Sequence, residues 1–296
     1  TIGADGLGLI SYYDGTNGDL KVAHCSNTNC TAETITPLDE TGNVGEWTSV
    51  TIGADGLGLI SYYDGTNNDL KVAHCSNTNC TSATLTTLDE TGSVGEYTSI
   101  TIGADGLGLI SYRDYTNTNL KVAHCSNTNC TTATITTLDE PWDVGEYTSI
   151  TIGADGLGLI SYYDRSDEPG VPSTLKVAHC SDTNCTAATT TTLDATGSGF
   201  VNVGLFTSIT IGADGLGLIS YYHFTSGDLK VAHCSNTNCT TATLPTLDST
   251  GVVGWDTSVT IGADGLGLIS YSDYTNDDLK VAHCENAFCA PYFRRR

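Results

Sequence analysis

The stretch TIGADGLGLISYYDGTNNDLKVAHCSNTNC, from Thr51 to Cys80, decides the fold because most of it recurs along the chain. Copies of its first twelve letters begin at Thr1, Thr51, Thr101, Thr151, Thr210 and Thr260. The spacing predicts six repeats, 1–50, 51–100, 101–150, 151–209, 210–259 and 260–296. A repeat this short, with few large apolar side chains, cannot bury a core alone, so neighbouring repeats must share one.

Each repeat has the apolar pattern of short strands. WTSVTIGAD, from Trp47, alternates apolar and polar residues up to an Asp-Gly turn, and LGLISYY, from Leu57, is a continuous apolar run of strand length. LKVAHC is a third strand, and the Thr-rich TSATLTTLD, from Thr81, is a fourth and more exposed one. The sequence therefore predicts four antiparallel strands, A to D, in every repeat.

Six four-stranded repeats predict an all-β fold, a six-bladed β-propeller that forms a single domain over residues 1–296. The repeats resemble those of uncharacterised bacterial secreted and surface propellers and, more distantly, the Asp-box blades of sialidase-like proteins. The resemblance implies the fold and leaves function open, because one fold carries many activities. Repeat 1 opens inside strand A and repeat 6 ends in CAPYFRRR, so we expect closure by side-chain packing of the end blades or by a strand from another subunit.

The cysteines form one C-x4-C pair per repeat, which predicts one disulfide per blade. The pairs are Cys25–Cys30, Cys75–Cys80, Cys125–Cys130, Cys180–Cys185, Cys234–Cys239 and Cys284–Cys289. We expect the first cysteine to end strand C and the second to start strand D, opposite each other. A metal site with His24 is the alternative, although adjacent strand residues point to opposite faces. Six pairs without a leftover cysteine predict an oxidising compartment, hence an extracellular or cell-surface location.

The charge balance excludes two classes of partner. The chain has 34 acidic and 11 basic residues, a net charge of −23. Nucleic acids and anionic membrane surfaces attract clustered Lys and Arg, so we expect neither as a partner. No apolar run approaches the roughly 20 residues of a membrane helix, so membrane insertion is not expected.

The B–C loops and D–A connections, which differ most between repeats, are expected at one edge of the blades, where many carboxylates also lie. Both insertions of the fourth repeat, 165–174 and 195–205, belong to this edge. Clustered carboxylates suit hard cations such as calcium. The candidate ligand- or cation-binding residues are Asp14, Asp19, Asp64, Asp69, Asp114, Asp164 and Asp273. Their spacing departs from known calcium loops, so a solvated acidic face without any cofactor is the competing interpretation.

The sequence predicts a protein that is not an enzyme. A sialidase-like site needs an arginine cluster, and only Arg113 and Arg165 lie outside the C-terminal residues. The predicted function is a structural building block of an extracellular filament, sheath or surface layer, which self-associates into a homo-oligomer or polymer. The alternative is a multivalent lectin-like or adhesive module that binds glycans. Its candidate aromatic residues are Tyr12, Tyr13, Trp47, Tyr97 and Trp255.

Overall fold

The computed structural model describes residues 1–140, 143–165, 171–195 and 202–290. Six antiparallel sheets, one per repeat, are the six blades of a β-propeller, which confirms the predicted all-β fold class. Two compact units divide the chain, Thr1–Pro141 with Thr183–Thr186 and Trp142–Asp182 with Ala187–Arg296. The first unit contains the sheets of blades 1 to 3, and the second those of blades 4 to 6.

Strands A to D follow one another in chain order, and each pairs with the next. The strands of the first unit are β1 (Leu9–Asp14), β2 (Asp19–Cys25), β3 (Glu33–Asp39), β4 (Val44–Ile52), β5 (Gly58–Asp64), β6 (Asp69–Cys75), β7 (Ala83–Asp89), β8 (Val94–Ile102), β9 (Gly108–Asp114), β10 (Asn119–Cys125) and β11 (Ala133–Asp139). The strands of the second unit are β12 (Asp143–Ile152), β13 (Gly158–Arg165), β14 (Thr174–Cys180), β15 (Ala188–Asp194), β16 (Val203–Ile211), β17 (Gly217–His223), β18 (Asp228–Cys234), β19 (Ala242–Thr243), β20 (Thr246–Asp248), β21 (Val253–Ile261), β22 (Gly267–Asp273) and β23 (Asp278–His283).

Blades 2 to 5 have all four predicted strands, with strand D of blade 5 split into β19 and β20. Among the described residues, blade 1 consists of strands B to D (β1–β3) and blade 6 of strands A to C (β21–β23). At the position of the end of strand A, blade 1 has a single antiparallel β-bridge between Ile2 and Gly8.

Neighbouring blades of a unit share an apolar core. We call the side of a sheet that packs on the following blade its leading face, and the opposite side its trailing face. In blade 1 the leading face presents Leu9, Leu20 and Val22, which form one cluster with Ile60 and Tyr62 on the trailing face of blade 2. The same residue types form the equivalent clusters between blades 2 and 3, 4 and 5, and 5 and 6. This sharing explains why no single repeat needs a core of its own.

A buried polar contact accompanies each of these apolar clusters. Asp39, at the end of strand D in blade 1, accepts hydrogen bonds from the Tyr62 hydroxyl (2.9 Å) and from Lys71 Nζ (2.5 Å) of blade 2. We call this arrangement the Asp–Tyr–Lys triad. Its other described copies are Asp89–Tyr112–Lys121, Asp194–Tyr221–Lys230 and Asp248–Tyr271–Lys280. The triads pair buried groups across blades and thereby fix the register of one sheet on the next.

In the described part of the chain, one apolar face of blade 1 and one apolar face of blade 6 are largely exposed. On the leading face of blade 6, Leu279 is 80% exposed and Val281 60%, whereas their counterparts Leu20 and Val22 are fully buried. On the trailing face of blade 1, Ile10 is 48% exposed, whereas its counterpart Ile60 is fully buried. These two faces have the composition of an interior and the exposure of a surface.

The cysteines form the predicted disulfides, although the second cysteine does not start strand D. Cys25 ends β2, but its partner across the ladder is Glu33, and Cys30 lies before β3 in a turn closed by its N–H to the Asn27 carbonyl (3.0 Å). Cys30 has a φ of +48°, a left-handed conformation that a strand residue does not adopt. None of the twelve cysteines, all of which the structure describes, is free.

Candidate functional site

One edge of every sheet carries both the B–C loop and the D–A connection, as the sequence predicts; we call it the B–C edge. Hydrogen bonds tie its two kinds of loop together. The Thr66 hydroxyl, in a B–C loop, accepts from the Asn43 N–H of the D–A connection at 2.6 Å, and Thr116 and Thr275 bind Ser93 and Val252 in the same way. The edge is therefore a braced scaffold on which side chains can be held in fixed positions. The fourth-repeat segments 166–170 and 196–201 lie outside the described residues.

Most of the predicted cation-binding aspartates accept hydrogen bonds from residues of their own B–C loops. Asp64 Oδ1 accepts from the N–H groups of Thr66 and Asn67, both at 3.0 Å, and its Oδ2 accepts from Asn67 Nδ2. Asp14, Asp114 and Asp273 cap their loops in the same manner. In blade 5 His223 replaces the aspartate, and its Nδ1 accepts from the Ser226 N–H. These contacts give each carboxylate a local structural role.

Lysines on strand C bind most of the same carboxylates. Lys121 Nζ lies 3.2 Å from Asp114, and Lys176 Nζ lies 3.4 Å from Asp164. Asp19 and Asp69 face Asp14 and Asp64 across the B–C ladder, and burial next to Asp64 raises the pKa of Asp69. Across the described residues, no three His, Cys, Asp or Glu side chains are grouped as a metal site would need. Cation binding by these aspartates stays a prediction.

Strand A brings aromatic rings to this edge through a distorted backbone. It begins at Val44, three residues before the predicted start at Trp47, and its register on strand B shifts twice between Val44 and Ser49. Gly45 has a φ of +105°, and a Cβ there would lie 2.7 Å from Leu20 Cα, so only glycine fits. Trp47 has a φ of +49°, and Tyr97, Tyr147 and Phe206 repeat this value within a few degrees. Bulky side chains in the left-handed region at a bulge are costly, and such bulges commonly re-aim side chains at functional sites.

The second unit carries the larger aromatic cluster, in blades 5 and 6. Trp255 stacks on Tyr274 with ring centroids 5.4 Å apart and lies 5.6 Å from Tyr222, which in turn contacts Phe224. Tyr274 and Phe224, both in B–C loops, are 63% and 53% exposed. The indole N–H of Trp255 is buried and has no acceptor among the described residues. We call Trp255, Tyr222, Tyr274 and Phe224 the blade 5–6 cluster.

The first unit has a second aromatic group beside two carboxylates. Trp47 lies 4.8 Å from Tyr97 and 5.2 Å from Tyr63, measured between ring centroids. Glu46 pairs with Tyr63 across the A–B ladder. Burial raises the pKa of the Tyr63 hydroxyl, a hydrogen bond with Ser93 lowers it, and the negative charges of Glu96 and Glu46 raise it. Arg113 binds Glu96 at 2.9 Å and covers the ring of Tyr115, which is 55% exposed. Carboxylates accept hydrogen bonds from the hydroxyls of a polyhydroxylated ligand, and the neighbouring aromatic faces offer it a stacking surface.

The opposite edge of each sheet is occupied by structural contacts. The Asp-Gly turn between strands A and B and the disulfide turn between strands C and D meet there. Asp5 Oδ1 accepts from the Leu7 N–H (3.0 Å), which is the main reason that the pKa of Asp5 is lowered, and its Oδ2 lies 2.8 Å from His24 Nε2. The same His–Asp contact occurs in all six blades. Each of these histidines therefore has a hydrogen-bonding role within its own blade.

Two parts of the aromatic prediction need correction. Tyr12 does not belong to the B–C edge, because its counterparts Tyr62 and Tyr112 are buried on trailing faces within the triads. Conversely, Tyr115, Phe224 and Tyr274 lie in B–C loops but are not among the predicted aromatic residues. The sequence could have indicated them at one position, the residue that follows the capping Asp or His of the B–C loop. This residue is glycine in the first two repeats and aromatic in the third, fifth and sixth.

Comparison with solved structures supports the fold. No family model matches the chain, and no curated protein matches its sequence. The structure is similar to polysaccharide lyase Uly1 (TM-score 0.54, 10% identity, 93% of this chain and 79% of that chain). It is also similar to the α-L-arabinofuranosidase ARB93A of Fusarium graminearum (0.52, 11%, 79% of each chain) and to the intramolecular trans-sialidase of Ruminococcus gnavus (0.50, 12%, 69% and 46%). At such identities the likeness shows the propeller fold, in agreement with the sialidase-like resemblance.

The prediction that the chain is not an enzyme is contradicted by these comparisons, because the similar structures are a lyase, a glycosidase and a trans-sialidase. The prediction relied on the shortage of arginine. Glycosidic bonds are most often cleaved by two carboxylates, which need neither an arginine cluster nor a nucleophilic serine. Within the described residues, no helix is long and apolar enough to cross a membrane.

Proposed function

We propose that the B–C edge of this protein binds neutral glycans. The observation that carries the proposal is the blade 5–6 cluster, in which the rings of Tyr274 and Phe224 are more than half exposed beside Trp255 and Tyr222. A pyranose or furanose ring can cover the exposed aromatic faces of Tyr274 and Phe224. The net charge of −23 opposes acidic sugars and therefore favours a neutral ligand.

Repetition supports a multivalent mode of binding. Each unit carries its own aromatic group on the B–C edge, and the groups differ in detail because the loop residues differ. Two or more weak sites that engage one polymer gain avidity without any new contact. The disulfides in every blade stabilise the fold in an oxidising compartment, so we propose that binding takes place outside the cell or at its surface.

Titration of the full chain with oligosaccharides tests the proposal. The first probes are arabino-oligosaccharides, chosen after the arabinofuranosidase of similar fold, with sialyllactose as the anionic comparison. We expect calorimetric binding of the neutral probe and a change in tryptophan fluorescence. Tyr274→Ala and Phe224→Ala should each weaken binding about tenfold, the loss expected for one stacked ring.

Phe288→Ala is the matched control, because Phe288 is an equally exposed aromatic residue (54%) on the disulfide turn at the opposite edge. It should leave the affinity unchanged. Equal effects of Tyr274→Ala and Phe288→Ala, or tighter binding of sialyllactose, would overturn the proposal. Measuring reducing sugar in the same mixtures separates cleavage from binding.

A second candidate function is a subunit of an extracellular filament, sheath or surface layer. The specific observation in its favour is the pair of uncovered apolar faces on blades 1 and 6. Electron microscopy of the purified chain at rising concentration tests it: polymers or regular oligomers are expected, and isolated particles at every concentration would contradict it.

A further inference from the structure

The leading face of blade 6 carries the apolar residues of a blade interface, yet the described residues leave them exposed. Leu268, Leu279 and Val281 are 37%, 80% and 60% exposed. In blades 1, 2, 4 and 5, each followed by a blade of its own unit, the three equivalent residues are at most 1% exposed. An uncovered patch of this kind on an otherwise acidic protein marks an interaction surface.

The trailing face of blade 1 is the complementary half. Ile10 is 48% exposed and Ile2 65%, and Tyr12 and Ala23 are partly exposed. Their counterparts in blade 2, Ile60, Tyr62 and Ala73, are fully buried against blade 1. Because the repeats share these strings, the two uncovered faces carry the same residue types that pack together inside each unit.

The lysine on the trailing face of blade 1 has charge partners within its own blade. Inside a unit the strand C lysine of one blade depends on an aspartate of the preceding blade, as Lys71 depends on Asp39. In blade 1, Lys21 instead donates a hydrogen bond to Asp14 of its own blade and lies 3.7 Å from Asp19. The charge of Lys21 is therefore compensated within blade 1. Burying the trailing face in an interface would not leave this lysine as an unpaired cation.

We propose that the leading face of blade 6 of one copy packs on the trailing face of blade 1 of a second copy. The inference rests on the second proposed function and names the surfaces that would meet. The occupant is a second copy because the contact continues the interface that already joins the blades of each unit. Two different faces make the contact heterologous, so copies add head to tail.

A complementation experiment with the full chain tests the pairing. Leu279→Asp blocks the leading face and Ile10→Asp blocks the trailing face; both residues are exposed, so the fold should survive. Each single variant should be monomeric in sedimentation, with an apparent dissociation constant raised about 100-fold or more, since a charge is placed in an apolar contact. A mixture of the two variants should form a one-to-one dimer, because each retains the face that the other needs.

Val171→Asp is the matched control, because Val171 is an exposed apolar residue (45%) in the B–C loop of blade 4 and belongs to neither face; this variant should self-associate like the parent chain. Circular dichroism verifies that all variants are folded. Raised salt should strengthen the association, because it screens the repulsion between copies of net charge −23. Oligomers that persist in Leu279→Asp would overturn the assigned faces but not assembly itself. A parent chain that is monomeric at every concentration would overturn both.

Discussion

The Asp–Tyr–Lys triads should be a main source of adhesion between blades, and Asp89→Asn tests this directly. Asp89 Oδ2 accepts from the Tyr112 hydroxyl at 2.7 Å and from Lys121 Nζ at 2.9 Å, and all three groups are largely buried. Burial opposes ionisation of Asp89, yet the hydrogen bonds from Lys121 and Tyr112 lower the pKa of this carboxyl below its ordinary value. The carboxylate is therefore more stable in the folded chain than in the unfolded one.

The magnitude follows from what each partner loses. A hydrogen bond to a charged group contributes about 1.5–3 kcal/mol, and stranding a buried charge costs about 3–5 kcal/mol. Lys121 is not fully stranded, because Asp114 remains 3.2 Å from its Nζ, and the asparagine can still accept from Tyr112. We therefore expect Asp89→Asn to lower the free energy of unfolding by about 2–3 kcal/mol at neutral pH.

Urea unfolding, followed by circular dichroism and by fluorescence, measures this difference, and agreement of the two probes validates the two-state analysis. Asp69→Asn is the matched control, since burial raises the pKa of Asp69 and removing its charge should cost nothing. The effect of Asp89→Asn should shrink as the pH falls below about 4, because this carboxyl then gains a proton in the unfolded chain and, at still lower pH, in the folded chain as well. Adding Lys121→Met to Asp89→Asn should restore part of the loss. Equal stabilities of Asp89→Asn and Asp69→Asn at pH 7 would refute the reasoning.

Three further predictions concern the rest of the scaffold. Gly95→Ala should unfold at a clearly lower urea concentration than the parent, because the new Cβ would lie 2.7 Å from Leu70 Cα and φ is +99°; an unchanged midpoint would show that strand A can shift. Burial tends to raise the pKa of Asp248, but hydrogen bonds, chiefly from Lys280, lower it from 3.8 to about 2. Because solvent screens this pair, the group should stabilise the fold by about 1 kcal/mol above pH 5 and lose that contribution as the pH falls from about 4 to 2. Loss of the acid sensitivity in Asp248→Asn, measured as unfolding free energy against pH, would verify it. Replacing both Cys75 and Cys80 by alanine should cost about 2 kcal/mol in the same assay, the loop-entropy value for so short a loop, and no loss would place the stabilisation elsewhere.

The sequence predicts the elements well where the information lies within one repeat. The continuous apolar run of strand B is buried on both faces in β5, and the Thr-rich strand D is the exposed one, as expected. The disulfide partners were predictable from spacing, but the position of Cys30 was not, because the turn before strand D needs a left-handed residue that no letter pattern signals. The triads could not be predicted, since each joins residues of two repeats and appears only when one sheet is laid on the next.

The same distinction locates the candidate site. A residue that packs between blades must satisfy the same neighbours each time, which is why Leu, Val, Tyr and Lys recur at fixed positions on the leading and trailing faces. Loop positions at the B–C edge do not pack between blades, so their residue types can vary. One such position is Gly15 in repeat 1 and Tyr115, Phe224 and Tyr274 in repeats 3, 5 and 6. Uniform residues thus build the scaffold, and the departures from uniformity mark surfaces free to take another role. The exposed faces of blades 1 and 6 carry the same residue types as the packed faces, but no described blade covers them. They therefore predict a protein partner rather than a small ligand.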